Sequence, residues 1–177
     1  MSIDRGERPS TPAVSFGEKP GIQIPGDTAP DLPPAEGHGT LTLPAGLNLN
    51  DGTVIPLVSR THKSSDFIDF LRKLDSMYND YGRIRIVLGN HSAHTSKEVM
   101  AYLETVPDRF VFIFAPKHSS WLNLVESFFG KMSKTMLRGI RASSYEEMEK
   151  RILQYFGEAN REPVVCRWAY KVDEAEI

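Results

Sequence analysis

A single cysteine, Cys166, leaves no partner for a disulfide and no thiolate set for a zinc module. Long apolar runs are missing as well. No stretch reaches the ~20 consecutive apolar residues of a membrane span, and the first residues lack the apolar core of a secretion signal. Both absences suit a reducing, cytoplasmic setting, which is what we expect. A surplus of one charge is also lacking: 21 Lys and Arg against 23 Asp and Glu give a formal net charge of -2. Any affinity for nucleic acid must therefore come from a local basic cluster. No internal repeat or low-complexity tract is present. What remains is a chain of 177 residues, 40% hydrophobic and 25% charged, enough for one substantial core. We expect an irregular leader over residues 1–13, one domain over 14–170 and a short tail over 171–177.

Residues 13–16 are apolar and read as a first strand. Residues 20–37 hold five prolines and read as a loop, because proline fixes φ and removes a ladder donor. The β-rich runs 40–48 and 53–60 flank Asn50-Asp51-Gly52, whose Asp-Gly pair predicts an antiparallel hairpin. Phe67, Phe70, Leu71, Leu74 and Tyr78 then recur at helical spacing, with Ser64 or Ser65 as N-cap and Asp66 and Asp69 near the favourable end of the dipole. A strand over 84–88 follows. Thr95 with Glu98 forms the expected capping box of a helix carrying Val99, Tyr102, Leu103 and Val106. Residues 110–114 give a further strand, closed by Ala115-Pro116. A helix from Ser120 to about Arg138 is stopped by Gly139, and Ser143 with Glu146 caps a last helix bearing Met148, Ile152, Tyr155 and Phe156. This order predicts an α/β fold, a mixed sheet with helices packed on it.

Two stretches bear on chemistry. RIRIVLGNHSAH, residues 83–94, is an apolar strand that dissolves into polar residues, as strands do at the working edge of an α/β sheet. The best-placed position there, Gly89, has no side chain. Asn90, His91 and His94 follow it. His91 and His94 have H-x-x-H spacing, but no Cys or further His lies near enough to suggest zinc, so lining a rim or bonding within a turn is the better reading. The second stretch is the helix over 121–138. Trp121, Val125, Phe128, Phe129, Met132 and Met136 share one face, while Lys131, Lys134, Arg138 and the following Arg141 share another. Glu126 projects near the boundary, and residues 127–145 contain no acid. A carboxylate beside such a patch suits a metal ligand next to a phosphate track. It equally suits an ordinary solvated helix face. Ser120 and Asn123 suit substrate contact or capping, and His62 and Lys63 suit phosphate contact or no role at all.

Taken together, VSFGEKPGIQ, VLGNHSAH and FIFAPKHSSWLNLVESFF resemble, in order, the three active-site segments of DDE-type transposases of bacterial insertion sequences, the branch related to the mariner elements. The likeness covers residues 14–170, and SWLNLVE is its most specific part. It implies a ribonuclease H-like fold in which two aspartates and a third acid bind two Mg2+ (or Mn2+) ions. The third acid corresponds to Glu126, and the 36 residues between Gly89 and Glu126 resemble the family's interval. Such ions, ~4 Å apart, activate the attacking oxygen and stabilise the leaving one, and they prefer carboxylate ligands. The family's VDEKP-like and LDNHSAH-like segments carry aspartate where this chain has Gly17 and Gly89. Glu18 points to the opposite face of a regular strand, and Asn90 offers only a neutral oxygen. We therefore expect weak or lost metal binding.

The resemblance thus implies a transposase-type endonuclease domain for DNA strand cleavage and strand transfer, impaired in its chemistry. Its implied partners are DNA, both element ends and target, and further copies of itself or an intact transposase. Only a short leader precedes Val14, where relatives carry a helix-turn-helix region, so recognition of element ends is expected to be absent. The loop over 20–38 also looks shorter than in relatives and lacks their basic-aromatic stretch. The alternatives are a noncatalytic DNA- or transposase-binding module built on Lys131, Lys134, Arg138 and Arg141, or a mobile-element remnant. Restoring aspartate at positions 17 and 89 is expected to return weak DNA nicking.

Overall fold

Period-two burial in the strands and 3.6-residue burial in the helices produce a three-layer arrangement. The computed structural model describes residues 11–24, 39–89, 92–116, 120–140 and 142–165, with backbone only for 120–122. The first ten residues of the expected leader, residues 25–38 of the expected loop, Asn90, His91, residues 117–119, Arg141 and residues 166–177 lie outside the described residues, as does the Trp121 side chain. The elements are β1 (Ala13–Gln23), β2 (Thr40–Asn48), β3 (Val54–Pro56), α1 (Ser64–Met77), β4 (Ile84–Gly89), a 3-10 turn (Ser92–Thr95), α2 (Lys97–Thr105), β5 (Phe110–Ala115), α3 (Ser120–Met132), a π-helical turn (Ser133–Leu137) and α4 (Tyr145–Ala159). The sheet has five strands in the order β3-β2-β1-β4-β5. β1, β2 and β3 pair antiparallel, and β4 pairs parallel with both β1 and β5. This is the mixed sheet flanked by helices that the sequence predicts, with the ribonuclease H-like order.

Alternation decides which residues face which layer. Val14 and Phe16 of β1 join Ile84, Ile86 and Leu88 of β4 under α1 and α2. Leu41, Leu43, Ala45 and Leu47 of β2 and Val87 of β4 face the other way, under α3 and α4. In α1, Phe67, Phe70, Leu71 and Leu74 are all at most 1% exposed, so the predicted stripe is the buried one.

Four local expectations shift. β1 does not stop at Phe16 but runs through Pro20, because the pairing with β2 changes register between Lys19 and Ile22, and Gly21 takes φ +68 there. A bulge is where a strand tolerates proline. The α1 N-cap is Lys63 rather than Ser64 or Ser65. Ser96, not Thr95, caps α2 by accepting from the Val99 amide at 3.3 Å. Ser144, not Ser143, caps α4, accepting from the Glu147 amide at 3.1 Å. Glu147 in turn accepts from the Ser143 amide and hydroxyl, both at 2.8 Å, which with Arg151 pull its carboxyl down to about 2.

Asp66 locks the start of α1. It is 5% exposed and accepts from the Lys63 amide at 2.7 Å, Ser59 Oγ at 2.7 Å and Thr61 Oγ1 at 2.8 Å. Burial pushes its pKa up, but the hydrogen bonds and nearby His62 outweigh burial and leave it below the ordinary carboxylate value. A depressed folded pKa gives stability that is fully present above the unfolded value of ~3.9 and is lost as pH falls through the folded one. Asp66→Asn should therefore cost about 1–2 kcal/mol at neutral pH and flatten the acid limb of stability below about pH 4. Denaturant melts across pH check this, and an unchanged acid limb would contradict it.

Candidate metal and nucleic-acid site

The parallel pairing of β1 with β4 runs Ala13 with Arg85, Val14 with Ile86 and Ser15 with Val87. Two residues further along both strands stand Gly17 and Gly89. The bridged pairs end at Ser15 and Val87, so each glycine stands two residues past the last of them, at the same edge of the sheet. Both belong to the α3 side: Val87, two residues before Gly89, lies in the core under α3, as does Ala115, which pairs with Gly89. The open Cα face of Gly17 points at Val125 and Phe129 of α3. Residues so placed on adjacent parallel strands face the crevice where α/β sheets hold ligands.

α3 lies over this edge because Val125, Phe129 and Met132, at 2%, 6% and 0% exposure, are buried against the sheet. Glu126, next to Val125, and Asn123 are exposed. Thus the helix that carries Glu126 is the helix that rests on Gly17. Lys131, Lys134 and Arg138 are exposed as the amphipathic pattern predicts. The helix is not uniform, however. The Arg138 amide bonds the Ser133 carbonyl at 3.0 Å, five residues back, which widens the last turn before Gly139 ends it at φ +78. Ser133 Oγ and Thr135 Oγ1 donate to the Phe129 and Lys131 carbonyls, each at 2.8 Å. Side chains bonding back to the preceding turn loosen a helix in this way.

Of the two readings open for His94, rim lining and bonding within the turn, the geometry fits the second. At 7% exposure it is buried in the α1 layer, with its ring 5.3 Å from Phe16 and 4.7 Å from Phe67. Its Nδ1 lies 3.1 Å from the Gly89 carbonyl oxygen. It therefore holds the end of β4 from behind. Glu18 faces away from Gly17, as alternation requires, and its carboxylate lies 3.5 Å from His62 Nδ1. Glu18, His62, Lys63, Phe67 and Glu98 line a cleft of about 530 Å³ at the start of α1. Glu18 thus lies on the opposite side of the sheet from the open face of Gly17.

Two of the three positions that the resemblance marks as ligands, Gly17 and Gly89, have no side chain, and among the described residues no three His, Cys, Asp or Glu side chains are grouped to hold a metal. The sequence reading also missed Val125 as part of this site. Its signal was no more than a valine four residues before Phe129 on the buried face, which does not say what lies beneath.

The profile of the DDE superfamily endonucleases matches residues 14–149. The chain belongs to that superfamily. A similar protein is the insertion element IS630 uncharacterized 39 kDa protein of Shigella sonnei, 26% identical over 113 residues, which are 64% of this chain and 33% of that protein. Among solved structures, the mariner Mos1 paired end complex with Mg matches at TM-score 0.57 and 19% identity, over 87% of this chain and 50% of that one. The catalytic domain of Mos1 mariner transposase matches at TM-score 0.52 and 19% identity, over 82% and 69%. A chain of the simian T-cell lymphotropic virus intasome in complex with PP2A regulatory subunit B56 gamma matches at TM-score 0.59 and 15% identity, over 94% and 54%. The chain spans about a third of its insertion-element relative and about half of the paired-end-complex chain. The structural likenesses place this DDE-family chain in the ribonuclease H-like fold. No helix among the described residues is long and apolar enough to cross a membrane.

Proposed function

We propose that this chain is a transposase-type catalytic domain that has lost the metal-dependent cleavage step and keeps a DNA-contacting surface. The observation that carries the reading is the pair Gly17 and Gly89, each two residues beyond the last bridged pair of two adjacent parallel strands, with Gly17 directly beneath the helix of Glu126. Those are the two positions at which the family's segments carry aspartate. In an intact member the metal pair supplies activation of the attacking oxygen and stabilisation of the leaving one. Here Glu126 alone provides a carboxylate, so neither ion has its ligand set. DNA contact is inferred from the family, from relatives solved as paired-end complexes, and from exposed Lys131, Lys134 and Arg138. Arg141, grouped with them by the sequence, lies outside the described residues.

The test is a nicking and strand-transfer assay with Mg2+ or Mn2+, run beside a duplex-binding titration. Native protein and Glu126→Gln should be equally silent in nicking. Binding to duplex DNA should weaken roughly 40-fold between about 50 and 200 mM salt if three phosphates are contacted. Glu126-dependent nicking by the native chain would overturn the loss of chemistry, and salt-independent or undetectable binding would overturn the DNA surface.

A further inference from the structure

A missing ligand can in principle be put back by mutation, provided that the space for it survives. A Cβ built on Gly17 would lie 2.6 Å from Val125 Cγ1, 3.3 Å from Val125 Cβ and 3.4 Å from Phe129 Cε2. Real Cβ atoms essentially never come within 3.0 Å of such a neighbour. Rotating Val125 does not clear the space, since a β-branched residue in a helix is held to one rotamer and the crowding already includes its Cβ. Neither Val125 nor Phe129 has slack, at 2% and 6% exposure. Not every glycine is so crowded: Gly39, Gly46 and Gly52 also leave no room for a Cβ, whereas one at Gly21, Gly82, Gly130 or Gly157 would meet nothing within 4 Å.

From this we infer that Val125 closes the position at which the family's first aspartate would stand. α3 is seated on β1 through Gly17, and the helix bearing Glu126 lies closer to the strand than any side chain at position 17 permits. The divalent-metal site is therefore lost in volume as well as in ligand count. The inference rests on the proposed function, in which Gly17 is a former ligand position. It also replaces the expectation that two aspartates alone would return nicking: admitting the first requires trimming Val125. Val125 is thus a positioning residue whose size decides whether a first ligand can exist.

The direct test is a thermal-melt cycle on the full chain with Gly17→Ala, Val125→Ala and both together. Gly17→Ala should lower Tm by about 5 °C through overpacking, and Val125→Ala should lower it by a similar amount through the cavity left. In the Val125→Ala background, Gly17→Ala should cost nothing or raise Tm, because the added methyl fills the vacated space. Simple additivity of the two losses would overturn the inference. The second arm uses manganese alone as probe. The pair Gly17→Asp, Gly89→Asp should be destabilised with no manganese-dependent rise in Tm, whereas adding Val125→Ala should yield such a rise. A manganese response equally large with Val125 intact would overturn the inference. The two readings fail separately, since native, Glu126-dependent nicking sinks the proposed loss of activity without touching the coupling between positions 17 and 125.

Discussion

A Lys134→Glu, Arg138→Glu variant is expected to bind duplex DNA about 100-fold more weakly than the native chain at moderate salt. Both side chains are exposed, on the π-helical turn at the end of α3 and directly after it. With a net charge of -2 the chain has no general attraction for a polyanion, so its affinity depends on the few cations in the track. The double reversal removes two attractions and adds two repulsions. Each is on the order of 1 kcal/mol at close range in a water-like dielectric, and screening trims the sum to about 3 kcal/mol, or roughly two decades. The slope of log affinity against log salt should fall by about 2, one for each phosphate that is no longer neutralised. Lys131, which lines a groove with Glu158 and Glu162, is left unchanged. Reversal at a helix C-terminus also costs the helix about 0.3–1 kcal/mol per site, so melts must accompany the binding curves. Fluorescence anisotropy on a labelled duplex reads the result, and an unchanged affinity and slope in a folded variant would remove the basic surface from the function.

The elements were legible wherever one physical signal dominated. Alternation placed β2, and the Asp-Gly turn joined it to β3, with Gly52 at φ +80 as such a turn requires. Helical periodicity fixed α1 through Phe67 to Leu74. The misses arose where two adjacent residues competed for one role. Thr95 and Ser96, like Ser143 and Ser144, offer neighbouring hydroxyls to a helix start. The choice is made by where the preceding chain leaves the sheet, not by propensity. Pro20 was misjudged for a related reason: proline excludes a regular ladder, but a bulge beside Gly21 admits it.

The packing around the candidate site was not legible in the sequence. Gly17, Gly89 and Glu126 came from the likeness of three segments, and the β1–β4 register supplies a physical reason to treat the two glycines as a pair. For His94 the sequence left rim lining and turn bonding open, and it could not show that the imidazole has an aromatic nest in Phe16 and Phe67 and an oxygen to bond at Gly89. Val125 was invisible as a steric element because its partner has no side chain and lies in the first strand. Only the seating of α3 on β1 brings them together.

Gly46→Val should be the most damaging single change in the sheet. On propensity alone the substitution is favourable, since valine suits a strand better than glycine and Gly46 sits in β2 between Phe16 of β1 and Ile55 of β3. Packing reverses the sign. A Cβ at Gly46 runs into Val14 Cγ1 and would lie 2.7 Å from Phe70 Cζ, and both of those side chains are fully buried at 0% exposure. Phe70 cannot retreat, because its ring centroid is already 4.9 Å from that of Phe16, which in turn is 4.9 Å from Phe67. Two further methyls on valine compound the overlap. The outcome is strain passed into α1 or a displaced Phe70, at about 3 kcal/mol and a fall in Tm of roughly 6–12 °C. Equilibrium urea unfolding measures it, and combining Gly46→Val with Phe70→Leu should recover part of the loss, as the smaller side chain yields space. A stable Gly46→Val protein would mean that α1 is not seated on β2 through this glycine. If it is so seated, α1 and α3 share one device on opposite sides of the sheet: each helix docks where a strand glycine lets a buried side chain touch backbone. Gly17 then serves the fold in the way Gly46 does, which is why an aspartate cannot simply be returned there.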